Sequence, residues 1–289
     1  SVLNQSGITY HIVSGWLEDD QAWDEIIRWE RVIKARSQLR DTRIGLLGSW
    51  DCPEHASAEL RAAAAKLAVQ FELIDHREIE RNRQMVKSDE LEKKLEQLRR
   101  LGMDPAGRGE TAEISCALDR VAADHKLDLL VGCGNTAPSW REAVLAKPHI
   151  SLIWEGGIPG AISSRIVSLL GTYAHQAVMQ SVDYTEETLL WAQQPGRTID
   201  SGHVTCIGYF QDMGNTPEVV IAQGNAACKE VHGYDYPELR IRYDLPVREF
   251  ITEWSRSGAG DHCVLGAGCH AASVQQLCDV LQISCRIIC

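Results

Sequence analysis

From Arg43 onward the chain repeats one pattern, a short apolar run followed by a stretch with helical spacing. Arg43-Ile-Gly-Leu-Leu-Gly48, Phe71-Glu-Leu-Ile74, Leu127-Asp-Leu-Leu-Val131 and His149-Ile-Ser-Leu-Ile-Trp154 are the runs. Ala56 to Gln70, Leu91 to Leu101, Thr111 to His125 and Ala161 to Leu170 carry the helical spacing. Strands this short and apolar are buried on both faces, and their alternation with helices specifies a parallel sheet covered by helices. Ligands of such sheets bind outside the C-terminal strand ends. Ser49-Trp50-Asp51, Cys133-Gly134-Asn135 and Glu155 all fall there.

After about Asp183 the pattern changes. His203–Ile207, Glu218–Ala222, Leu239–Tyr243 and Cys263–Leu265 are short runs with partial alternation, parted by Gly, Asn and Pro clusters. That pattern predicts an antiparallel, barrel-like part. Val274, Leu277, Cys278 and Leu281 then mark one helical face, and Cys285-Arg-Ile-Ile-Cys289 a closing strand. Ahead of the alternation, Ile8–Val13 reads as a strand. Residues 17–40 read as a long helix whose apolar face is Trp23, Ile26, Ile27, Trp29, Val32 and Ile33. The expected fold class is α/β, a parallel α/β sandwich domain followed by an antiparallel β-barrel-like C-terminal domain. Residues 1–42 form the remnant or end of a first domain with its linking helix, 43–183 the parallel-sheet domain, and 184–289 the barrel-like domain.

A chain of 289 residues is long enough for two ordinary cores. Its formal charge of −11, from 40 acidic and 29 basic residues, argues against nucleic-acid binding, which needs a clustered basic face. The densest basic run, Lys93 to Arg100, alternates with Glu and Leu as a solvated helix face does. Ten Cys occur, with no Cys-x-x-Cys pair and no signal peptide ahead of Ser1, so the expectation is a reduced, cytoplasmic protein. Cys116, Cys133, Cys206, Cys228, Cys278 and Cys285 sit in apolar patterns as small core residues. No apolar run reaches the ~18 residues that a membrane span needs.

Chemistry concentrates in two segments. Gly258-Ala-Gly-Asp-His-Cys-Val-Leu-Gly-Ala-Gly-Cys-His270 packs two His, two Cys and an Asp among small residues, which let backbone approach a ligand closely. A zinc site from His262, Cys263, Cys269 and His270 is one reading, although the spacing matches no common zinc framework. Trp154-Glu-Gly-Gly-Ile-Pro-Gly-Ala161 sets Glu155 at the end of an apolar run, where an unpaired carboxylate is costly to bury. Glu155 is either functional, or it caps the following helix or pairs with Arg165. His270 reads as a capping or surface residue, His203 as the start of a strand, and Asp183 as a supporting carboxylate. Gly132-Cys-Gly134 lacks the rest of a dinucleotide fingerprint.

The succession Trp-Glu-Gly-Gly-Ile-Pro-Gly-Ala161, then Gly202-His-Val-Thr205, then Asp261-His-Cys-Val-Leu-Gly266 before a last helix resembles the L-fucose/L-arabinose isomerase family. Ser14-Gly-Trp-Leu-Glu-Asp-Asp-Gln-Ala-Trp23 through Gly48 is similar to that family's link between first and second domains. The resemblance implies a homo-oligomer that interconverts small aldoses and ketoses through an enediol at Mn2+ or another divalent cation. It sets Glu155 and His262 on metal ligands, Glu155 and Glu142 on the carboxylates that move the proton, and Asp261, Asp183 and Trp50 toward the sugar. Gly157 stands where the family has Asp, and Asp261 where it has the first His of a pair. Two further readings follow from these differences: a non-catalytic sugar-binding or structural homologue, and a metal-assisted sugar enzyme that uses Asp261 in place of the missing His.

Overall fold

The computed structural model describes residues 10–47, 65–100, 107–132, 157–171, 174–183, 188–193, 199, 201–213, 216–229, 238–260 and 262–288. Helix α1, Asp20–Arg40, starts where the Asp19 carboxylate accepts the N–H groups of Gln21 (3.0 Å) and Ala22 (3.4 Å), so Leu17 and Glu18 stay outside it. Its inward face is Val32, Ala35 and Leu39, each fully buried. The expected apolar face is therefore largely misassigned: Trp23, Ile26, Ile27 and Ile33 are all exposed, Ile33 at 60 %. Residues 10–13, expected within a strand, have no regular structure.

Three strands form a parallel sheet in the order β2-β1-β3: β1 Arg43–Leu47, β2 Gln70–Ile74 and β3 Leu129–Gly132. Between them run α2 (His76–Gln84), α3 (Ser88–Arg100) and α4 (Gly109–Asp124). Helix α2 has no counterpart in the sequence reading, although Asp75 caps it through the Arg77 N–H at 2.8 Å. Gly45 is required at the centre of β1, because a Cβ there would meet Leu127 Cδ1 at 2.5 Å and Leu130 Cδ2 at 2.8 Å.

Helix α5, Gly157–Leu169, begins four residues ahead of the expected Ala161. Its first turn holds Pro159, which is tolerated there because first-turn N–H groups have no intrahelical acceptor. A second sheet follows, from β4 Ala174–Asp183, β5 Thr188–Gln193, β6 Ser201–Met213, β7 Thr216–Lys229, β8 Glu238–Tyr243, β9 His262–Ala267 and β10 Ser284–Ile288. Its order is β10-β7-β6-β9-β4-β5-β8, and β7 also pairs with β8. The six antiparallel strands thus form a closed circuit of pairings, with β10 added in parallel to residues 218–222 of β7. Strand β4, whose residues fall inside the expected 43–183 domain, belongs to this second sheet. Two helices complete the chain, α6 Val247–Arg256 and α7 Ala271–Leu281.

Period-two alternation explains how the second sheet is buried on both faces. Val204, Cys206, Val220, Ala222, Cys263 and Leu265 point to one core, together with Phe250 and Trp254 of α6. Ile207, Val219, Ile221 and Val264 point to the other core, which they share with α1, β1, β3, α5 and α7. That second core includes Leu46 and Val131 of the parallel sheet and Ile158, Ile162 and Ile166 of α5. Helix α5 is the layer on which both sheets pack. Among the described residues no helix is long and apolar enough to cross a membrane.

Candidate functional site

The direction of α5 is set by polar contacts at the start of the parallel strands. Arg165 Nη2 donates to Asp128 Oδ1 at 2.7 Å, and its Nε donates to Thr42 Oγ1 at 3.0 Å. Asp128 Oδ2 also accepts the Arg43 N–H at 2.9 Å. Thr42 and Asp128 precede β1 and β3, so Arg165 lies at the N-terminal edge of the sheet. Gly157 is eight residues earlier on the same helix, roughly 12 Å away by helical rise. Five residues of β1 span a similar length. The N-terminus of α5 is therefore level with the ends of β1 and β3, where the expected ligand edge lies.

The second sheet continues this geometry. Four residues separate the end of α5 from β4, and Gly171 within them has φ +96°, a conformation that favours glycine. Helix α5 packs along β4, β6 and β9, so β4 runs back beside it. Ala174, next to the end of α5, pairs with Gly266, whereas His262 pairs with Val178 further along β4. His262 thus begins β9 on the side toward the start of α5, not its end. Asp183 stands five positions beyond Val178, roughly 16 Å of strand, and pairs with Thr188. The backbone brings His262 toward the α5 N-terminus and does not bring Asp183 beside it.

Trp50, Glu142, Glu155 and Asp261 lie outside the described residues, as do the side chains of His262 and Asp183. The suggested Glu155–Arg165 pairing meets a guanidinium already engaged by Asp128 and Thr42. The zinc reading meets diverging thiols: Cys263 is fully buried inside the strand circuit, and Cys269 is exposed. Burial and a contact with Cys206 push the Cys263 thiol well up. Among the described residues no group of three or more His, Cys, Asp or Glu could hold a metal ion.

His270 precedes α7, as expected, but caps nothing with its ring; Nε2 lies 2.7 Å from the Ala267 carbonyl. The glycine-rich segment after β9 is tied down through Thr205. The Thr205 hydroxyl donates to the Gly268 carbonyl and accepts the His270 N–H, both at 2.8 Å, and Gly268 N–H donates to the His203 carbonyl at 2.7 Å. Gly268 has φ +105°, and a Cβ there would meet His270 Nε2 at 2.8 Å. This network gives the Gly-x-Val-Thr segment a structural role that its spacing did not reveal.

Two further features escaped the sequence reading. His125, after α4, sits between Glu78 Oε1 at 2.7 Å from Nε2 and Glu72 on Nδ1. The three residues are 53 and 47 positions apart along the chain, so no local motif announces them. A groove of about 1130 Å³ also runs between α1 and α7, lined by Tyr10, Ile26, Trp29, Ile33, Gln276 and Val280 among others. It holds none of the expected site residues. No protein-family model matches the chain, and no match is found among curated proteins.

Proposed function

We propose that this α/β chain is a metal-dependent aldose–ketose isomerase of the L-fucose/L-arabinose isomerase type, cytoplasmic and homo-oligomeric, whose second sheet closes as a small barrel. One observation supports the reading: Ile158 at the start of α5 shares a core with Leu46 and Val131, near the ends of β1 and β3, and with Val264, near the start of β9. Glu155 is two residues from Gly157, a span of at most ~7 Å. That reach is compatible with a site shared by Glu155 and His262. Carboxylate and imidazole donors suit Mn2+ or another divalent cation, which when bound polarises the sugar's carbonyl and hydroxyl oxygens. Glu155 and Glu142 are the carboxylates that take the proton from one carbon and return it to its neighbour. Asp261 and Trp50 are assigned to sugar binding by the same resemblance.

The test combines manganese titration by calorimetry with incubation against L-fucose, L-arabinose, D-arabinose and their ketoses. Interconversion that falls about 10²–10⁴-fold in Glu155→Gln supports the reading. Weakened manganese binding in His262→Ala, with the circular dichroism spectrum unchanged, supports it further. A folded chain that binds neither manganese nor sugar overturns it. Sugar binding without interconversion marks the non-catalytic homologue instead.

A further inference from the structure

Two cysteine pairs stand in thiol contact, and they differ in what can reach them. Cys206 and Cys263 lie on the paired strands β6 and β9, diagonal in register, since Cys206 opposes Leu265 and Gly208 opposes Cys263. Both are fully buried inside the strand circuit. Cys278 and Cys285 lie instead at the outer edge of the shared core. Cys278 is on the last turn of α7 and is buried, whereas Cys285 is the second residue of β10 and only partly buried. The turn between them is tightly made. Gln282 adopts φ +56° and reverses the chain, its N–H donates to the Asp279 carbonyl at 3.1 Å, and the Ile283 N–H donates to the Cys278 carbonyl at 2.9 Å. This turn folds β10 back so that Cys285 packs against the cluster that holds Cys278, and the two side chains interact.

We propose that Cys278 and Cys285 form an oxidisable dithiol, which a hydroperoxide converts into a disulfide linking α7 to β10. Contact with Cys278 lowers the Cys285 thiol from its ordinary value, against burial and the charges of Asp279 and Glu218. The same contact and burial hold Cys278 up. Cys285, the thiol that solvent reaches, is the attacking sulfur, and the buried Cys278 is the resolving one. In the first step the Cys285 sulfur bonds to a peroxide oxygen and the O–O bond breaks. The leaving oxygen takes up the Cys285 proton, giving an alcohol, or water from hydrogen peroxide, and a sulfenic acid. In the second step the Cys278 sulfur bonds to the Cys285 sulfur, the S–O bond breaks, and hydroxide leaves with the Cys278 proton as water. Two thiols and one hydroperoxide become one disulfide, one alcohol and one water. The link would clamp β10, which extends β7, to α7, which packs against α1.

The folded wild-type chain is exposed to a small excess of hydrogen peroxide, alkylated after denaturation, and digested with a protease that cuts before Asp. That protease separates Cys278 from Asp279 and hence from Cys285. The expected result is a pair of peptides joined through Cys278 and Cys285 that a reductant separates, with Cys206 and Cys263 fully alkylated. In Cys278→Ser, Cys285 should stop at the sulfenic acid and be trapped by dimedone. Two outcomes in the wild-type chain overturn the proposal. One is Cys285 carried to sulfinic or sulfonic acid while Cys278 remains alkylatable. The other is both cysteines unreacted when the exposed Cys269 has been oxidised.

Discussion

His125 is where a single side chain does most to tie the parallel-sheet region together. It follows α4, while Glu72 comes from β2 and Glu78 from α2, and Arg43 of β1 reaches Glu72 at 2.7 Å. The two carboxylates, Glu78 foremost, raise the His125 pKa from its ordinary 6.5. The hydrogen bond from His125 foremost, with Arg43, lowers that of Glu72 from 4.5. A raised folded-state pKa contributes stability that is complete below the unfolded value and is lost as pH rises through the folded value. For Glu72 the sign reverses, and the contribution is complete above 4.5 and lost as pH falls through its lowered value. The cluster is therefore strongest between pH 4.5 and 6.5. Urea unfolding at about pH 5.5 and about pH 8.5 should show the wild-type chain losing more stability toward alkaline pH than His125→Gln. Equal pH dependence in the two chains would contradict this assignment. Nothing near His125 in sequence carries this information, since its partners arrive from other elements.

At the scale of elements, β7 shows how one strand serves three neighbours. One edge pairs with β6, while the other pairs with β10 over 218–222 and with β8 over 224–229. Gly224 stands where the partner changes. A Cβ there would lie 2.6 Å from the Arg242 carbonyl oxygen, a backbone atom that cannot move without breaking the β7–β8 pairing. Gly224→Ala should cost about 1–3 kcal/mol in chemical unfolding. Gly109→Ala at the start of α4 meets nothing within 4 Å and should be neutral or stabilise by about 0.4–1 kcal/mol. If both substitutions had the same effect, steric closeness at Gly224 would not be the cause. Helix α6 was legible and passed over: Val247, Phe250, Ile251 and Trp254 recur at helical spacing. What its spacing could not show is that Phe250 stacks on Tyr243 at 3.9 Å and that Trp254 Nε1–H reaches the Gly260 carbonyl at 2.8 Å. Helix α1 illustrates the opposite error. Its largest apolar residues suggested the inner face, yet the smaller Ala35, with Val32 and Leu39, is what α5 and α7 cover.

For the whole molecule, the shared core makes a thermodynamic claim. Ile162 of α5 is 1 % exposed and belongs to the cluster that holds Leu46 and Val131 of one sheet and Ile207 and Val264 of the other. Ile162→Ala should cost about 2–5 kcal/mol and shift both sheets together. Far-UV circular dichroism and tryptophan fluorescence should then trace one coincident transition in wild-type and variant chains alike. Two separated transitions would mean that the sheets fold independently.

The sequence by itself determined the positions of all three described parallel strands, helices α1, α3, α4, α5 and α7 within a few residues, and the change to antiparallel pairing. These follow from spacing along the chain, because strand and helix impose different periods on buried side chains. His262 and Glu155 are its candidates for chemistry, one on either side of the change. Only the tertiary structure decided that β4 joins the second sheet, that β7 pairs with β8 to close the circuit, and that α5 lies between the two sheets. Such choices depend on which apolar surfaces meet across the fold, and hydrophobic burial is non-directional: a sequence pattern shows that a face must be covered, not what covers it.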